Sequence, residues 1–139
     1  MIPKYSELLT EIETGMIPIQ AILAQNNCDH LLDARDASPS FDSIYQRAFR
    51  EMQVLRAAVS DDPTKHIRYQ AFVFASVATN NHEIASYVSD DFELIAWASF
   101  ANLTLAIDSS LNRLANFLYT EYGSQRFPTP DAWLTSKHG

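Results

Sequence analysis

Apolar residues recur three or four positions apart along most of the chain, the spacing that keeps side chains on one face of an α-helix. Tyr5, Leu8, Leu9 and Ile12 mark a first helix within Ile2 to Thr14. Gly15 and Pro18 interrupt it. Pro18 suits the opening turn of a second piece, Ile17 to Gln25, where a missing N–H costs nothing. Asn26-Asn27 ends that piece, and residues 28 to 36 read as a short helical turn.

Ser38-Pro39-Ser40 is a helix-start signal, a hydroxyl cap followed by proline. Phe41, Ile44, Tyr45, Ala48, Phe49, Met52, Leu55 and Val59 then form one apolar stripe. Asp61-Asp62-Pro63 closes that helix. It opens the next with Asp62 as cap and Pro63 in the first position. Pro63 to Thr79 is apolar all round in its middle, the mark of a helix enclosed by neighbours. Asn80-Asn81-His82 is a break, followed by a turn or two ending near Val88.

Ser89-Asp90-Asp91-Phe92-Glu93 reads as a cap and an acidic first turn, which the positive end of a helix favours. A long apolar helix is predicted from there to Tyr122. Asp108-Ser109-Ser110 is a natural kink in it, and Gly123 is its left-handed cap. The segment from Ser124, with Pro128 and Pro130, is expected to be irregular, with Trp133 and Leu134 holding it to the body.

Composition agrees. Three glycines in 139 residues is far below the average of about 7%, so glycine-dependent hairpins and phosphate-binding loops are excluded. Alanine, the best helix former, is abundant. The fold class is therefore all-α: a compact bundle of four to five principal helices with an irregular C-terminal tail. Residues 1–139 are expected to form one domain, with the 63–79 and 90–122 helices at its centre.

The net charge is −7, from 10 basic and 17 acidic residues. That sign is wrong for phosphate-driven nucleic-acid binding. The greasiest stretch, Leu94 to Ile107, is shorter than the ~20 residues of a membrane span and is broken by Ser99, Asn102 and Thr104. With no basic-plus-apolar leader, a cytoplasmic location is expected. Cys28, the single cysteine, cannot form an internal disulfide and reads as a half-buried thiol.

No catalytic constellation emerges. Among His30, His66, His82 and His138, no two share the three- or four-residue spacing that grips a metal from one helix. Asp29, Asp33 and Asp36 share a helical face near His30, which defines a metal-dependent enzyme as an alternative. A solvated acidic face explains the same pattern, and no metal or other cofactor is expected. Serines lack a G-x-S-x-G elbow, and Cys28 and His30 point apart on a helix. Asp108, set among leucines, is expected either at the exposed edge of its helix or buried with a partner, Asn112, Arg113, Lys65 or Arg68.

Charge distribution is more informative. No Lys or Arg occurs from Tyr69 to Asn112, whereas Glu83, Asp90, Asp91, Glu93 and Asp108 do. Such a field attracts a basic protein partner. The function expected is a non-enzymatic acidic binding module, of the bacterial immunity or antitoxin type. Glu83, Asp90, Asp91 and Glu93 would be its contact charges against a basic toxin or effector. The alternative class is a self-associating helical scaffold, in which a homodimer covers the surplus apolar surface of 94–107.

Overall fold

The computed structural model describes residues 2–25, 27–101 and 105–136, and the side chain of Cys28 lies outside what it describes. Among the described residues the regular structure is helical throughout: α1 Tyr5–Glu13, α2 Ile19–Ala24, α3 Cys28–Asp36, α4 Pro39–Ala57, α5 Lys65–Thr79, α6 His82–Phe100, α7 Ser110–Gly123 and α8 Pro130–Thr135. The bundle is all-α, as the periodicity predicts.

Its axis is α6. Every residue from Asp91 to Ser99 is buried. An unbroken buried run in a helix means neighbours on every side, because 3.6 residues complete a turn. Helices α1, α3, α4, α5 and α7 supply those neighbours, with α5 packing most extensively on α6. The α5 contact face carries Ala71 and Ala75, both fully buried, and small side chains let two helix backbones approach closely. Around α6 the core gathers Leu8, Ile12, Met52, Ile67, Leu111 and Leu118. Helix α2 lies against α5, and α8 against α4.

Local signals hold at several ends. Ser38 caps α4 through the Phe41 N–H, with Pro39 in the first turn. Asn80 closes α5 at φ +50°, in the left-handed region that Asn tolerates. Asn81 opens α6 by accepting the backbone N–H groups of Glu83 and Ile84. The expected break at 80–82 is therefore a true helix boundary.

Several boundaries differ from the expectation. Helix α6 runs unbroken from His82 through Ser89–Glu93, so those residues cap nothing. The expected 90–122 helix is instead α6 and α7, with Phe100 and Ser110 at the break. Serine, aspartate and glutamate favour helix starts, but they also serve buried hydrogen bonds and, for the two acids, ion pairs, and sequence spacing does not separate these uses. The second start is set from outside the segment. Ser109 accepts the Asn112 N–H, while the Glu51 carboxylate of α4 accepts those of Ser110 and Leu111 at 3.2 and 3.0 Å. Asp62 lies two residues before the Thr64 cap of α5, and its carboxylate takes the Thr64 N–H and hydroxyl. Helix α7 does end at Gly123, but the left-handed residue is Gln125 at φ +62°. The stretch after it carries the short helix α8, which seats Trp133 edge-on against Phe117 at 5.2 Å; Leu134 stays half-exposed.

Candidate functional site

A buried charge pair lies at the heart of the junction between α3, α4, α6 and α7. Arg35 of α3 donates two hydrogen bonds to Asp91 of α6, at 2.9 and 2.7 Å. The Tyr45 and Tyr122 hydroxyls donate to the same carboxylate at 2.8 and 2.7 Å. Asp91 thus accepts four bonds from three other helices. The Arg35 guanidinium is enclosed by the rings of Phe41, Tyr45, Tyr87 and Phe127, with centroids 5.1–5.6 Å away. Burial by itself disfavours its charge, but Asp91 outweighs that and holds the proton on. Burial, and then the Asp91 charge, push the Tyr45 and Tyr122 hydroxyls far above their ordinary range. Both remain neutral donors.

A second cluster lies nearby. Asp62 accepts from Arg68, which also approaches Glu93 at 3.5 Å; Arg56 approaches the same glutamate at 3.7 Å. Burial raises the Glu93 carboxyl, and Arg68 and Arg56 partly counter this.

These contacts change the expected acidic face. Of Glu83, Asp90, Asp91 and Glu93, only Glu83 and Asp90 are exposed. Asp91 and Glu93 are buried: Asp91 lies about 100° round the helix from Asp90, and Glu93 lies about 60° round the other way, where Arg56 and Arg68 approach it. They tie helices together and cannot serve as rim charges. Glu83, Ser86, Tyr87 and Asp90 share the outer face of α6 at helical spacing.

What sequence reasoning missed is the contribution of α3 and α4 to that face. Asp36 accepts from the Tyr87 hydroxyl. Asp42, at the start of α4, lines the same small cleft as Asp36, Phe41, Tyr45 and Tyr87. The signal available was that Asp36 and Asp42 flank the Ser38-Pro39 helix start, where α3 and α4 must meet. Among the described residues, no Lys or Arg forms an ion pair with Asp36, Asp42, Glu83 or Asp90.

The carboxyl of Asp90 is pushed up to about 6, by burial first and then by the charges of Asp91 and Glu93; Arg35 and Arg68 act the other way. A carboxyl raised in the folded state favours the fold when protonated. Its ionisation therefore opposes folding above about pH 6, and that penalty fades as the pH falls toward 4. Asp90→Asn should raise Tm at pH 7.5, with the gain shrinking toward pH 4. A gain of equal size at both pH values would contradict this account.

Asp29, His30, Asp33 and Asp36 are exposed on α3, and no group of three His, Cys, Asp or Glu side chains among the described residues is placed to hold a metal. Asp108 is exposed, the first of its two expected placements, but in the connection after α6 and not on a helix. His66 pairs with Glu13 at 3.2 Å; His138 lies outside the described residues. No helix among the described residues is long and apolar enough to cross a membrane. Of the 94–107 stretch, residues 94–99 are covered by the chain's own helices, whereas Phe100 and Ile107 are exposed.

Comparison with known proteins adds one finding. The profile of a family described as Immunity protein PIM1 matches residues 7–129. No curated protein matches the chain.

Proposed function

This chain belongs to the Immunity protein PIM1 family, and from that premise we propose that it protects by binding a basic toxin and holding it inactive, without catalysis of its own. The family match carries this reading. The electrostatics support it: a net charge of −7 and four exposed carboxylates, Asp36, Asp42, Glu83 and Asp90, that form no ion pair with Lys or Arg among the described residues. A field of one sign accelerates encounter with an oppositely charged protein by ten- to a thousand-fold, and salt suppresses the gain. Rapid capture suits a protein that must reach a toxin before the toxin reaches its target.

The contact set is thus Glu83 and Asp90 of the sequence reading, joined by Asp36 and Asp42. Asp91 and Glu93 act from below, by fixing the helices that present it.

The test first retrieves a toxin domain by low-salt pull-down with the tagged chain. Cells expressing that domain should be rescued by the parent chain. The charge-reversed variant Glu83→Lys/Asp90→Lys should associate at least roughly tenfold more slowly at low salt, with the difference narrowing at high salt. Rescue and association rates unchanged by the reversal would eliminate this face. Failure of the parent chain to bind or rescue would remove the reading for that toxin.

A further inference from the structure

The small cleft between α3, α4 and α6 lies in the middle of the acidic face. It has a volume of about 100 Å³ and is lined by Arg35, Asp36, Phe41, Asp42, Tyr45 and Tyr87. One water needs about 10–15 Å³ of such space, so the cleft holds a group of several heavy atoms. Its walls are aromatic. Its floor is Arg35, whose charge is matched by Asp91 beneath it. Its two carboxylates, Asp36 and Asp42, form no ion pair within the described chain. With Arg35 matched by Asp91, Asp36 and Asp42 leave the cleft net negative before Glu83 and Asp90 are added.

We infer that this cleft receives one arginine side chain of the partner, and that Asp36, Asp42 and Tyr87 are the residues that select it. The inference rests on the immunity reading for its partner, but its geometry is independent of it. Three features favour a guanidinium over other groups. The rings of Phe41, Tyr45 and Tyr87 already pack around one guanidinium, that of Arg35, with centroids at 5.1, 5.5 and 5.6 Å; aromatic faces attract cations through their quadrupole. Two carboxylates beside flat walls suit a planar, multiply donating cation better than a compact ammonium. Asp36 is held at the cleft by the Tyr87 hydroxyl, so little side-chain freedom is lost when a ligand arrives. Neither an anionic nor an apolar side chain gains from that set. An interface of this kind concentrates its energy in an arginine anchor buried at the centre, with the outer charges Glu83 and Asp90 steering approach.

The experiment needs no toxin. N-acetyl-arginine amide is titrated into the protein, and the ring signals of Tyr45 and Tyr87 are followed by NMR, with the lysine and glutamate amides as parallel probes. The arginine amide should give saturable shifts at both rings, the lysine amide weaker ones, and the glutamate amide none. Asp36→Asn/Asp42→Asn replaces two exposed residues, so the fold should survive, as the remaining amide spectrum will show. It should weaken arginine-amide binding roughly tenfold or more, as loss of charge-assisted hydrogen bonds does. Absence of saturable shifts, equal shifts from the glutamate amide, or undiminished binding by the double variant would overturn the assignment. Protection of cells by the parent chain, scored separately, distinguishes the two failures. Rescue without arginine-amide binding removes the cleft and leaves the immunity reading. Arginine-amide binding without rescue does the reverse.

Discussion

Asp91→Asn should lower the stability of the folded chain by about 3–5 kcal/mol, the range seen when one partner of a buried pair is removed. Asp91 is 0% exposed and Arg35 4%, so the variant leaves a guanidinium in the interior with no counter-charge. An asparagine oxygen can accept some of the four bonds, but its amide group would point a donor at other donors. Small domains have only about 5–15 kcal/mol in hand, so this loss takes up a large part of the whole. Urea unfolding of the parent and the variant gives the number. Replacing both charges by apolar residues, in Arg35→Met/Asp91→Leu, should cost less than Asp91→Asn alone, because a buried ion pair roughly breaks even against apolar packing. A single-site loss under about 1 kcal/mol, or a double variant worse than the single one, would show that the pair is not what ties the helices together.

Trp97→Ala should cost a similar amount, about 3–5 kcal/mol, as truncation of a large buried aromatic does. Trp97 is among the largest fully buried side chains and lies in the run of α6 enclosed on every side. Its ring meets Phe100 edge-on at 5.8 Å. The loss has two parts, the removed apolar surface and the void that neighbouring helices cannot collapse to fill. The indole N–H finds no hydrogen-bond partner among the described residues. Trp97→Phe should therefore be much milder than Trp97→Ala, because it keeps most of the ring and removes only an unsatisfied donor. Equal losses for the two variants in chemical denaturation would mean that the N–H, not the ring, carries the stability.

Both predictions concern α6, the element whose role was least legible in the sequence. Its apolar richness was plain, and so was the break at Asn80-Asn81 before it. Its start and its length were not, because Ser89-Asp90-Asp91-Phe92-Glu93 looks like a helix cap in every local respect. In the folded chain Asp91 answers Arg35, fifty-six positions earlier, and the Ser89 hydroxyl donates to the Arg68 carbonyl. Long-range partners of this kind leave no trace in spacing. The start of α7 is another case: Glu51, on a distant helix, takes two of its free N–H groups.

The candidate site was half legible. Glu83 and Asp90 stand on the acidic face as expected, while Asp91 and Glu93 lie beneath it. Had 82–100 been recognised as one helix, its 100° per residue would have put Glu83 and Asp90 on one line and Asp91 to the side, but Glu93 lies only about 60° from Asp90, and the packing of α4 and α5 alone decides its burial. Asp36 and Asp42 could not be joined to them without knowing that α3 and α4 meet the outer face of α6.

Taken alone, the order of residues determined the helical class, the scarcity of turns, the excess of negative charge and most helix stops. Each of these follows from nearest neighbours along the chain: backbone propensity, three-or-four-step periodicity and capping by adjacent side chains. Packing decided which acids face water and which are locked inside, where the central rod begins and ends, and that three separate helices build one cleft. The reason is physical. Burial and charge pairing depend on who sits opposite in space, and a carboxylate costs several kcal/mol or stabilises the fold according to whether a guanidinium arrives there.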